Sequence, residues 1–219
     1  MGQKIRPDSY RLGIIKPWIS RWFLKEGYPE ALKQDETIRT IINKKVSAGG
    51  ISSIEIERTA GVCKVNICAA RPGLIIGRGG QGIEDLKSAL EKALKKLSKD
   101  KKKKFSLNIN IEELKRMEIS SNHIAQQIAW DLEKRFKFRR TVKKYIDQIN
   151  QNRDVLGVKI RVSGRLDGAE IARSEWFAKG TIPLQTIRAN IDYGEATAFT
   201  TFGTVGIKVW VNKGEIFKK

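Results

Sequence analysis

Cysteine and histidine are nearly absent from this chain, at two and one among 219 residues. Cys63 and Cys68 fall in one expected strand, and their odd spacing points them to opposite faces. They read as small core fillers rather than a disulfide or a metal pair. His123 sits among helix-starting residues without a cysteine cluster beside it. Zinc is therefore left without a ligand set, and a histidine-based triad lacks a marked nucleophile. No metal, cofactor or catalytic residue is expected. Long apolar runs are lacking too, and none approaches the ~20 residues of a spanning helix. The opening residues have no apolar core of a secretory signal, and Arg6 stands where a myristoylation signal wants Ser or Thr.

Acidic residues are also short in supply. Asp and Glu number 24 against 43 Lys and Arg, for a net charge of +19. With 40% apolar residues the chain has enough material for a core, unlike a disordered basic tail. Self-repulsion of that size opposes compaction, so a polyanionic partner is implied. With no membrane segment in view, nucleic acid is the expected partner.

The pattern divides into a basic, extended N-terminal arm over 1–16, a first half over 17–112 and a second over 113–219. Ile38, Ile41, Ile42 and Val46 fall at helical spacing, and Gly49-Gly50 is expected to end that helix. Two alternating strands follow, around Ile54 and Ile56 and around Val65 and Ile67. A glycine cluster then opens a helix with Ile83, Leu86, Leu90, Ala93 and Leu97 on one face, and Phe105, Leu107, Ile109 and Ile111 mark a further strand. In the second half, Ser120, Ser121 and Asn122 offer a cap to a helix through Leu132, and a second helix runs through Ile149. Val158, Ile160 and Val162 alternate as a strand. Asp167 with Glu170 suggests a capping box for a short helix. Strands return at Ile187 to Ile191 and at Val205 to Val211. The fold class is α+β throughout, with a mixed or antiparallel sheet in the second half.

The glycine cluster from Gly77 to Gly82 admits three readings. It fits the dinucleotide fingerprint, but the nearest acid at the right distance, Asp100, lies in a lysine run. It approaches a P-loop, but Ile83 and Glu84 stand where Lys and Ser or Thr are needed. The third reading is the GxxG loop of a KH module, Gly77-Arg78-Gly79-Gly80, which clamps the backbone of about four nucleotides. Glycine suits that task because the RNA backbone must approach the main chain closely. A plain glycine turn is the bland alternative, and the helical segments on both sides favour KH.

A basic helix is expected around Lys134 to Lys144, with seven Lys or Arg in eleven positions and no acid. Arg139, Arg140, Lys143 and Lys144 gather opposite Phe138, Val142, Tyr145, Ile146 and Ile149. Like charges at i, i+4 repel, so this helix forgoes stability to display them, and phosphate contact is favoured over a merely solvated face. The run Lys101 to Lys104 fits a solvated turn as well as an RNA contact. Trp18, Trp22 and Phe23 read as aromatic anchors more readily than as base-stacking residues.

Several stretches together resemble one family: MGQKIRP and RLG near the start, ARPGLIIGRGG, FRRTVKK, GVKIRVSGRLDGAEIARSEW, IPLQTIRANIDY and GTVGIKVWVNKGEI. The chain resembles bacterial-type small-subunit ribosomal protein S-three over essentially its whole length, and SGRLDGAEIAR is far more specific than any GxxG. The resemblance implies an N-terminal type II KH domain and a C-terminal α+β domain docked on small-subunit rRNA in the head. It implies ribosomal proteins S-ten and S-fourteen as neighbours. It also implies a position lining the passage where mRNA enters, with a part in unwinding structured messages. By motif position the message-facing cations correspond to Arg139, Arg140 and Lys143. The loop corresponds to Gly77, Arg78, Gly79 and Gly80; many members carry a lysine pair in its middle, so Arg78-Gly79 keeps one charge and a weaker grip. Lys4, Arg6, Arg161, Arg165 and Arg173 are further candidate rRNA contacts. The compartment implied is a ribosome of the cytoplasm, or of a plastid, which the Lys-, Ile- and Asn-rich composition fits equally. A nucleotide-dependent enzyme would need the missing P-loop lysine or ribose acid. A free-standing KH regulator would not co-sediment with small-subunit particles.

Overall fold

Isoleucines at helical spacing facing isoleucines and valines at strand spacing leave little choice of layer arrangement. The computed structural model describes residues 4–23, 27–46, 49–59, 62–97, 106–114 and 119–217. It divides into two compact units, one of residues 18–115 and one of residues 1–17 with 116–219.

The first unit contains β1 (Ser20–Arg21), α2 (Tyr28–Lys45), β2 (Ile51–Thr59), β3 (Val62–Ala69), α3 (Pro72–Ile76), α4 (Gln81–Leu97) and β4 (Ser106–Glu113). Its sheet runs β1-β2-β3-β4, antiparallel between β2 and β3 and parallel at both outer pairs. Ile38 and Ile42 of α2 and Leu86, Leu90 and Leu94 of α4 share one buried core with Ile54, Ile56, Val65, Ile67 and Leu107. The alternation read from the sequence therefore holds. Cys63 joins that core, and burial pushes its thiol up to about 11. Cys68 lies on the opposite face of β3, as the spacing required. Helix α2 ends at Lys45, before the expected Gly49-Gly50 stop. Of the three aromatics read as anchors, only Trp22 acts as one. Its Nε1 donates to Asp35 at 2.8 Å, and the same buried carboxylate pairs with the Arg58 guanidinium. Trp18 and Phe23 are exposed. The lysine run at 101–104 lies outside the described residues.

The second unit contains α1 (Pro7–Tyr10), α5 (Ser121–Glu133), α6 (Phe138–Asn150), β5 (Gly157–Gly164), β6 (Arg173–Gly180), β7 (Ala189–Thr200) and β8 (Gly203–Glu215). Its sheet is wholly antiparallel, in the order β6-β5-β8-β7. Helices α5 and α6 lie on one face, with Ile124, Ile128, Phe138, Val142 and Ile146 meeting Val158, Ile160, Val162, Ile207 and Val209. Ser120 caps α5, as expected, by accepting from the His123 amide. The approach is so close at Gly194 that a Cβ there would lie 2.3 Å from the Ser121 carbonyl carbon.

The expected extended arm is instead a helical turn locked onto this unit. Arg11 is fully buried, and its guanidinium donates to the carbonyls of Ala189 at 2.6 Å, Thr186 at 2.7 Å, Leu184 at 3.1 Å and Pro7 at 3.1 Å. Several carbonyls converge on this one buried guanidinium, so it is a structural pin. Charge counting in the sequence could not separate it from a phosphate-binding cation.

Candidate nucleic-acid interfaces

In the first unit, α3 breaks at Gly77 (φ 71°), and a single tight turn over Arg78–Gly80 leads into α4. Gly79 (φ 62°) and Gly80 (φ 82°) hold left-handed conformations that side chains resist. A Cβ on either would meet nothing within 4 Å, so both main-chain segments face open space. Gly82 differs, because a Cβ there would lie 2.4 Å from the Ile75 carbonyl oxygen. Gly82 thus lets α4 start tight against α3, while Gly79 and Gly80 leave the backbone approachable. Arg78 is exposed at the same turn. The amides of the first turn of α4 open beside it, where an anion is favoured.

In the second unit the basic helix expected around Lys134 to Lys144 begins only at Phe138. Helix α5 stops at Glu133, and the Arg135 and Phe136 amides donate back to the Leu132 and Asp131 carbonyls. This is a Schellman closure with Arg135 (φ 65°) where glycine is usual. Helix α6 restarts at Phe138, whose amide donates to Asp167 Oδ1 at 3.4 Å. Asp167, expected to cap a helix of its own, sits at φ 53° in a tight turn and caps α6 from across the unit. No acid lies in the first turn of α6, where Arg139 and Arg140 oppose the helix dipole, so an outside carboxylate there is stabilising.

Phe138, Thr141, Val142, Tyr145, Ile146 and Ile149 are the buried side of α6, and Arg139, Arg140, Lys143 and Lys144 are exposed. The four cations are not equivalent. Arg139 donates from Nε and Nη2 to both carboxylate oxygens of Glu175, at 3.1 Å each, and Arg173 pairs with the same carboxylate at 3.1 Å. The Arg139 hydrogen bonds hold the Glu175 carboxyl below its usual range. Lys144 rests over the Tyr145 ring at 5.7 Å. Arg140 and Lys143 have no ion pair among the described residues. Glu175 was not legible in the sequence, because it comes from β6, a strand the alternation did not reveal.

The remaining candidates are scattered. Lys4 is exposed. Arg6 pairs with Glu195 at 3.2 Å and lies over the Tyr193 ring. Arg161 donates to Ser174 Oγ at 2.7 Å, and Arg165 to the carbonyls of Ala169 and Phe202. None of these interactions removes the positive charge except the Arg6 pair. Among the described residues no cluster of metal-ligating side chains occurs and no helix is long and apolar enough to cross a membrane.

Comparison with known proteins matches these two units to two domain families. The KH domain profile matches residues 37–119, and the profile of the ribosomal protein S3 C-terminal domain matches residues 128–211. The chain is 46% identical to small ribosomal subunit protein uS3 of Syntrophomonas wolfei, over 99% of this chain and 91% of the relative. It is 47% identical to uS3 of Campylobacter concisus, over 100% and 90%, and 48% identical to uS3 of Clostridium botulinum, over 99% and 93%. With both units matched and the whole chain covered by these relatives, the chain belongs to the small ribosomal subunit protein uS3 family.

Proposed function

We propose that the chain is a structural, non-enzymatic and RNA-binding constituent of the small ribosomal subunit that also guides mRNA where it enters. The coarser half follows from family membership across both units. The finer half rests on one observation: Arg140 and Lys143 stand exposed, a turn apart on a well-capped helix, without an acid partner among the described residues. Such cations hold phosphates by charge and not by sequence, which suits a message of any composition. Held on a rigid helix, they grip one separated strand and so bias a hairpin towards its open form.

On this reading the division of labour is 1–16 as an arm, 17–112 as a type II KH domain and 113–219 as the rRNA-docking domain. Gly77, Arg78, Gly79 and Gly80 offer an open backbone and one cation to single-stranded RNA. Lys144, with Lys4, Arg6, Arg161, Arg165 and Arg173, adds contacts to small-subunit rRNA in the head. Ribosomal proteins S-ten and S-fourteen are its neighbours there, and the ribosome is cytoplasmic or plastid. The test is a message carrying thiouridine just ahead of the point where it enters. Irradiation should crosslink it to residues 139–144 of this chain, and crosslinks confined to other proteins would refute the placement.

A further inference from the structure

The sheet of the second unit has a face turned away from α5 and α6, and its side chains form a pattern that the helix-side chemistry does not use. Strand alternation puts Val158, Ile160 and Val162 under the helices, so Lys159, Arg161 and Ser163 point outward. In register beside them, Trp176 pairs with Arg161 on β6, while Trp210 pairs with Lys159 and Lys208 with Arg161 on β8. The Lys159 ammonium sits 4.7 Å from the centroid of the Trp176 ring and 5.9 Å from that of Trp210. Trp210 in turn leans on Tyr193, 5.5 Å between centroids, and Arg6 covers Tyr193. Cations and aromatic rings therefore alternate across the sheet. The arm closes this ladder at β7, while at the β6 edge Trp176 is 60% exposed.

We propose that this face is a second RNA site, in which an unpaired base stacks on Trp176 while Arg161 and Lys208 hold the adjoining phosphates. A large exposed indole on a sheet is costly to leave in water, and it suits a flat apolar partner. Lys159, seated between the two indoles, fixes Trp176 as a platform. Complementarity of charge selects the partner. The outward positions of β5, β6 and β8 from Lys159 to Ser163, Ser174 to Ala178 and Thr204 to Trp210 include three cations and no acid; Glu195 of β7, opposite Lys208, is held by Arg6. Arg161 is planted by its bond to Ser174, and Lys208 has no ion pair among the described residues. A polyanion bearing planar bases matches both halves of that surface, and the base must be unpaired because a duplex keeps its faces stacked.

The test uses the full chain with two short strands, an oligoadenylate and its abasic ribose-phosphate counterpart. Trp176→Ala should weaken the oligoadenylate by about fivefold or more and leave the abasic strand unchanged. Trp176→Phe, which keeps a ring, should recover most of the loss. An Arg140→Ala/Lys143→Ala variant should weaken both strands alike, which separates this site from the α6 ridge. The indole lies outside the core, so Trp176→Ala should keep the parental melting curve. If it does not, Arg161→Glu/Lys208→Glu carries the test and should weaken both strands. Parental affinity in Trp176→Ala with an unchanged fold, or in the charge-reversed pair, overturns the proposal. So does unchanged RNA affinity accompanied by loss of a neighbouring protein from reconstituted particles, which assigns the face to a protein.

Discussion

Arg139 is chelated by Glu175, with Nε and Nη2 each 3.1 Å from a carboxylate oxygen. The pair makes Arg139 the least available of the four cations on α6. Alanine at Arg139 should therefore cost less RNA affinity than alanine at Arg140 or Lys143. Glu175→Gln should release Arg139 and Arg173 together, raise affinity and steepen the log–log salt dependence on single strands by about 0.7 for each phosphate newly gripped. Titration against salt with each variant checks the order. The acid side has a definite sign. Because Glu175 is held below its usual range, the pair contributes above the unfolded carboxylate's value and is lost as pH falls through the lowered one.

Asp167 combines two demands that few residues meet, a left-handed backbone and an acceptor for the Phe138 amide. Asp167→Asn keeps both and should be close to neutral. Asp167→Ala loses the acceptor and resists the backbone, so it should destabilise by about 1–2 kcal/mol. Urea unfolding of the full chain measures the difference. Equal stability of the two variants would show that α6 needs no outside cap.

Arg135 holds the position after α5 at φ 65°, where glycine is the usual occupant. Arg135→Gly should raise stability by about 1 kcal/mol, since the backbone strain of a side chain disappears. The gain should appear as a higher urea midpoint. A drop in stability would mean that the arginine side chain contributes more packing than the backbone costs.

The glycine loop separates into two kinds of position. Arg78→Asp/Gly79→Asp places charge in open space at residues the core does not use, and Asp tolerates the left-handed region. It should lose single-stranded RNA binding while retaining the parental melting temperature. Gly82→Ala should do the reverse at first, lowering stability, because its methyl meets the Ile75 carbonyl oxygen. Calorimetry alongside filter binding distinguishes the two.

Wherever one periodicity ran through a whole element, the sequence was enough to place it. Ile54 against Glu55, Val158 against Lys159 and the Leu86–Leu90 stripe each declare a face, and Ser120 declares a helix start. Strand β6 was invisible because its outward Trp176 and inward Glu175 invert the usual apolar alternation, both being held by partners from elsewhere. That the basic helix starts only at Phe138 was not legible, because the turn at Arg135 and the cap from the distant Asp167 leave no local mark in the run from Lys134. The role of Arg11 was hidden for a related reason. Its guanidinium answers carbonyls from residues 183–189, which no window around the arm contains.

The claim that α6 handles structured messages is tested most directly by the ratio of translocation rates on matched messages with and without a hairpin ahead of the ribosome. Reconstituted particles carrying Arg140→Ala/Lys143→Ala should assemble normally, because both side chains lie outside the core and alanine keeps helix propensity. Their rate on the unstructured message should match the parent, and the hairpin should slow them several-fold more than it slows the parent, with Arg139→Ala in between. An unchanged ratio, whether both rates fall together or neither falls, would contradict the account and leave these cations as docking contacts or a solvated helix face.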